Sequence, residues 1–372
     1  MRNISIKKFK EALDNKNGEL SSLAKSGKKI IGYFCTYTPI EIIHAAGFMP
    51  VRVTGDAETL SKVDAHVPNF ICPYLRRAFE SGLNGQYEYL SGIIQGYTCD
   101  VACGLIDMWK ENIGGELFHT VPLPYNDNAD SRKYLSTAFE ELDLKLQNVG
   151  GQQIYSNIES SVALYESIRA LMMGLYEKRY KGTLPLSGSE FHTVIQTGFT
   201  LSPEEYLKML KKLNADIEEA DTKSNTHTPV LISGSIIEEP IYLDIIEASG
   251  GRIVGDDLCT GLRHFIQTDT VGHDPMERII DRHFSRLPCP ARSRAVERAH
   301  LLMGLTRQSG AKGLIFLFQK FCTPHLADYP VIKDMLDQQG LQSIMLEMDE
   351  TGAMEGQLQT RLEGFFEVMG KI

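Results

Sequence analysis

The feature that most constrains this chain is its alternation of short apolar runs with helical segments, which predicts a sheet of parallel strands joined by helical crossovers. KKIIGYF (28–34) reads as a buried strand, Thr38-Pro39-Ile40-Glu41 opens a helix that Gly47 ends, and residues 50–54 form the next strand. A further helix starts at Cys72-Pro73. YLSGIIQ (89–95) is then a strand, followed by a helix over 100–111. From about residue 131 to 225 the rhythm changes, and three stretches (134–149, 156–180 and 203–224) carry helical spacing with no convincing strand between them. The alternation returns with strands at 230–233 and 252–255, helices at 237–249, 274–284 and 292–309, a strand at 313–318, a helix at 329–338, a strand at 343–347 and a last helix from about 357. The expectation is an α/β protein with an N-terminal lobe over 1–130, a helical insertion or hinge over 131–227 and a C-terminal lobe over 228–372.

The 372 residues carry a net charge of −10 without any Lys/Arg block, so a phosphate-backbone footprint is missing and nucleic acid is not expected as a partner. No apolar run approaches the ~20 residues that span a bilayer, and MRNISIKKFKEALDNKNGEL has no apolar signal region, so a cytoplasmic protein without membrane contact is expected. There is neither a G-x-x-x-x-G-K-[ST] nor a G-x-G-x-x-G, so no nucleotide is expected to bind this chain, and no G-x-S-x-G elbow.

The seven cysteines are odd in number and too sparse for a disulfide framework. Their positions are more informative. Cys35, Cys99 and Cys322 each directly follow a strand, Cys259 follows strand GRIVG in DDLCTG (256–261), and Cys72 stands at a helix start. Ligands bind at the carboxyl edge of open α/β sheets, and unpaired N–H groups at helix N-termini stabilise thiolates and anionic clusters. Several such thiolates in one cleft make a soft-metal site; the competing reading is small buried thiols. Cys103 lies one turn beyond Cys99 and reads as packing. Cys322-Thr-Pro-His325 is half a zinc motif without a second half. Glu41 and His44 lie three apart on the helix after Cys35 and are the candidate catalytic acid/base pair, against the alternative of a solvated helix face.

GYFCTYTPIEIIHAAG (32–47), the Cys72-Pro73 helix start, Thr98-Cys99-Asp100, GDDLCTG (255–261) and QKFCTP (319–324) with Tyr329-Pro330 together resemble the iron–sulfur subunits of the 2-hydroxyacyl-CoA dehydratase and benzoyl-CoA reductase family, of the 2-hydroxyglutaryl-CoA dehydratase D-component type. The resemblance runs over essentially the whole chain. It implies two Rossmann-like lobes with a [4Fe-4S] cluster in the cleft between them, held by Cys72, Cys99 and Cys322, and a separate ATP-hydrolysing iron–sulfur activator that delivers single low-potential electrons. It implies assembly with a same-family subunit or a second copy, and an acyl-CoA or other small-molecule substrate. Cys35, Cys259 and Cys289 (in LPCP, 287–290) are extra thiols. With them the chain is similar to the double-cubane [8Fe-9S] subgroup, which reduces small molecules without a CoA substrate. A non-catalytic bilobed binding or partner subunit is the further alternative.

Overall fold

A computed structural model describes residues 6–218, 227–266, 274–292, 294–349 and 355–370. Two helices, α1 (Ile6–Asp14) and α2 (Lys16–Lys25), lead into β1 (Ile30–Tyr33), α3 (Ile40–Ala45), β2 (Met49–Arg52), α4 (Pro73–Leu83), β3 (Gly92–Gly96), α5 (Asp100–Asn112) and β4 (Leu117–Val121). Helices α6 (Ala129–Asn148), α7 (Ile158–Tyr180), α8 (Gly188–Thr197) and α9 (Pro203–Glu218) follow. The chain continues through β5 (Thr228–Gly234), α10 (Ile241–Ala248), β6 (Gly251–Asp257), α11 (Leu262–Phe265), α12 (Pro275–Ser285), α13 (Ala295–Ser309), β7 (Gly313–Gln319), α14 (Thr323–Gln338), β8 (Gln342–Met348) and α15 (Glu355–Met369).

The strands form two four-stranded sheets, all parallel, ordered β2-β1-β3-β4 and β6-β5-β7-β8. The two Rossmann-like lobes therefore share one strand order. In each, the order reverses beside the first strand, between β1 and β3 and again between β5 and β7. Crossovers leave to opposite faces there and open a crevice at the carboxyl ends. The strands are apolar because both faces are covered: β1, β3 and β7 are buried at every position. In the first lobe Trp109 of α5 is 1% exposed and packs against Phe34, Phe79 and Tyr87. Helix α7 packs on α3 and α9 and also on β6, α11, α12 and α13, so it touches both lobes.

Strand β4 and helices α8, α11 and α14 depart from the sequence reading, and no spacing marks the short α11. The edge strand β4, LFHTV, buries only alternate residues, and its polar His119 and Thr120 hide it among loops. Helix α8 falls between the helical stretches that spacing marks, and the signal for it is local rather than periodic: Ser187 and Glu190 form a capping box at its start. Helix α14 begins at Thr323 rather than 329, because Pro324 occupies its first turn and Pro330, which suggests a helix start, lies inside it. The end of the helix expected over 203–224 lies outside the described residues. No helix among the described residues is long and apolar enough to cross a membrane.

Candidate functional site

The carboxyl ends of the two sheets face each other across a cavity of about 500 Å³, lined by Cys35, Cys72, Cys99, Cys259, Cys289 and Cys322. The reason lies in the topology. Cys35 follows β1 and Cys99 follows β3, on either side of the first lobe's order reversal; Cys322 follows β7 beside the second lobe's, and Cys259 follows β6. Cys72, Cys99 and Cys322 are the residues immediately before α4, α5 and α14. Cys289 enters on the loop after α12, a position without a strand or helix signal. All six are free thiols, as is Cys103, which lies in α5 and does not line the cavity.

Burial raises the pKa of five of these thiols, to about 11 for Cys99 and about 12 for Cys322, and upward also for Cys35, Cys72 and Cys289. After burial, neighbouring thiolates add to the rise: Cys322 and Cys99 raise Cys72, Cys259 raises Cys35, Cys259 and Cys35 raise Cys289, Cys99 and Cys259 raise Cys322, and Cys35 raises Cys99. Backbone N–H groups oppose the rise. Ala102 donates to Cys99 Sγ at 3.4 Å and Tyr37 to Cys35 Sγ at 3.5 Å, while Leu75, His325 and Ala291 serve Cys72, Cys322 and Cys289.

Among the described residues no group of three His, Cys, Asp or Glu closes around a point as a single metal ion requires. The thiols instead line opposite walls of one cavity, which suits a polynuclear cluster whose terminal thiolates stand apart. Unpartnered donors on the same walls fit an anionic group: Arg52 Nε and Nη2, Gln95 Nε2 and Arg286 Nε are buried with no hydrogen-bond partner in the protein. Six thiols, three arginines (Arg52, Arg263 and Arg286) and these free N–H groups form a donor set matched to an iron–sulfur cluster. His325, the half zinc motif, is 2% exposed with its ring 5.0 Å from that of Phe318.

Glu41 and His44 do not line the cavity. Nor do they form a solvated face. Glu41 is 1% exposed and pairs with Arg169, with Arg282 Nε at 3.9 Å; His44 meets Ser161 Oγ through Nδ1 and Glu204 Oε1 through Nε2, both at 2.9 Å. Sequence reasoning passes over Arg52, Gln95, Arg263 and Arg286. A polar signal is present for two of them, since Gln95 closes the apolar run YLSGIIQ and Arg263 stands four residues beyond Cys259.

The fold and the cavity define a class: a bilobed, parallel α/β protein with a thiol-lined chamber between the carboxyl edges of its two sheets. Residues 35–369 match the family described as 2-hydroxyglutaryl-CoA dehydratase, D-component, and the chain belongs to that family. It is 26% identical over 366 residues to the (R)-phenyllactyl-CoA dehydratase beta subunit of Clostridium sporogenes, covering 97% of both chains. It is 28% identical over 352 residues to the lactoyl-CoA dehydratase beta subunit of Anaerotignum propionicum, covering 93% of each. It is also 27% identical over 346 residues to a benzoyl-CoA reductase subunit of Thauera aromatica, covering 90% of this chain and 89% of that one.

Proposed function

We propose that this chain is the cluster-bearing subunit of a low-potential reductase or dehydratase, holding a double-cubane iron–sulfur cluster on Cys72, Cys99 and Cys322 from one side and Cys35, Cys259 and Cys289 from the other. The observation that carries the reading is that six of the seven cysteines line one cavity at the carboxyl ends of the two sheets. When bound, such a cluster supplies one-electron transfer at low potential and a coordination position for a small substrate. The chain's own part is to hold and insulate. Helix N-termini bring N–H groups to Cys72, Cys99 and Cys322, arginines supply countercharge, and the two lobes hold the thiols between their sheet edges. Glu41 anchors Arg169 in the wall behind rather than exchanging protons with substrate. The electrons come from an ATP-hydrolysing iron–sulfur activator. The assembly is made up by a second copy or a same-family subunit, in a cytoplasm that keeps the thiols reduced.

The names of the relatives favour a second reading, a dehydratase subunit with one [4Fe-4S] cluster on Cys72, Cys99 and Cys322 and an acyl-CoA substrate. Iron and acid-labile sulfide per chain, measured on anaerobically purified protein, separate the two. About eight irons support the six-thiolate site, and about four support the three-thiolate one. Colourless protein without iron after anaerobic reconstitution overturns both.

A further inference from the structure

The two thiol groups differ in the charge around them. Arg263 Nη1 donates to Cys259 Sγ at 3.6 Å, Arg52 Nη1 donates to the Cys259 carbonyl at 3.3 Å, and Arg286 Nη1 donates to the carbonyl of Thr36, the residue after Cys35. Arg263 is neutralised by a buried carboxylate, Asp257. Among the described residues Arg52 and Arg286 form no ion pair, and Arg286 instead lies 5.1 Å from the centre of the Tyr37 ring. The group of Cys72, Cys99 and Cys322 has the opposite setting. Asp100 directly follows Cys99, and the cation facing Cys322, Arg298, is neutralised by Asp257 and by Asp328 at 2.9 Å.

Reduction adds negative charge, so a positive field favours the reduced form, and in a dry site it does so strongly. We infer that Arg52 and Arg286 make the two halves of the site redox-inequivalent: they raise the reduction potential on the Cys35/Cys259/Cys289 side, so the first electron taken from a one-electron donor rests there. This rests on the six-thiolate reading. The low-potential side, with Asp100 beside it, is then the stronger reductant once a second electron arrives. Each electron comes from one donor molecule oxidised by one unit.

A redox titration of the anaerobically purified, iron-loaded protein, with titanium(III) citrate as donor and electron paramagnetic resonance as readout, tests this. Two separated one-electron steps are expected. Arg286→Gln lowers the upper step by a tenfold or larger change in the oxidised-to-reduced ratio, about 59 mV for one electron, and moves the lower step much less. Arg286→Lys restores it, as a merely structural role would not require. Asp100→Asn, at the start of α5, raises the lower step and leaves the upper one in place. Iron is counted on every variant. About eight irons with both steps moving together, or with neither moving, overturns the inference and leaves the six-thiolate reading intact; about four irons overturns both.

Discussion

Arg263 and Asp257 meet through two parallel hydrogen bonds of 2.7 Å, Nε to Oδ1 and Nη2 to Oδ2, with both side chains buried. Asp257 also faces Arg298 at 3.5 Å, and Arg298 reaches Asp328 on α14 at 2.9 Å. This chain of charges ties the loop bearing Cys259 to the helix that opens at Cys322. Its geometry is the fork-to-fork arrangement in which a buried pair retains most of its attraction.

Asp257→Asn leaves two buried guanidiniums short of countercharge, and removal of one partner of a buried pair costs about 3 to 5 kcal/mol. Urea unfolding of the metal-free protein is expected to show a loss of that order. A loss under about 1 kcal/mol would mean that the network is solvated and does not hold the loop.

The Cys259 loop wraps around a single carboxylate. Asp256 Oδ1 accepts from Leu258 N at 3.1 Å and Leu262 N at 2.8 Å, and Tyr176 donates to Oδ2 at 2.7 Å. A Cβ at Gly261 would run into that carboxylate. Gly261→Ala is therefore expected to push Cys259 off the cavity wall and to lower the iron bound per chain, with far-ultraviolet circular dichroism unchanged. Full iron content in this variant would show that the loop yields without moving the thiol.

Much of this is legible in the sequence, and the gaps have physical causes. Strands such as GLIFLFQ announce themselves because both sheet faces are buried, whereas β4 lies at an edge and alternates. The strand-end cysteines can be located because each stands where a continuous apolar run gives way to helical spacing or a turn. Their convergence cannot, since it depends on the second sheet facing the first, which local pattern does not encode. Cys289 has no element to mark it, and Arg52 and Arg286 act only through a neighbouring lobe or loop. The pairing of Glu41 with Arg169 spans 128 positions, and helical spacing has no means of showing it.

Phe321 is the one non-glycine with positive φ among the described residues, at 63°, and it stands directly before Cys322, 41% exposed and lining the cavity. The turn is tight: Cys322 N donates to Gln319 O at 3.0 Å and Thr323 N to Phe321 O at 2.9 Å. A left-handed residue with a Cβ stores about 1 to 2 kcal/mol. Phe321→Gly is expected to be neutral or slightly stabilising, and Phe321→Val, with a branched Cβ, to destabilise by more than about 1 kcal/mol in the same unfolding assay. Equal stability of the two variants would place the strain elsewhere.

Glu238, on the loop after β5, joins the lobes through Oε1, which accepts from Gly55 N at 2.7 Å. Burial pushes its pKa up to about 7; the Gly55 N–H and Arg77 oppose the rise, and Asp56 adds to it. The folded protein thus holds a proton that the unfolded chain, titrating near the ordinary value of 4.5, has already released. Between those two values folding takes up a proton, so this group's stabilisation is fully present below about pH 4.5 and is lost as pH rises through about 7. With Arg77 held to Glu239 beside it, the loss falls on the lobe-to-lobe contact. Glu238→Gln keeps the acceptor and removes the titration. The difference in unfolding free energy between wild type and variant should move by about 1 to 3 kcal/mol in the variant's favour from about pH 5 to about pH 8. Stability curves that run parallel over that range would mean Glu238 stays ionised and solvated in the fold, and the pH-sensitive contact between the lobes would have to be abandoned.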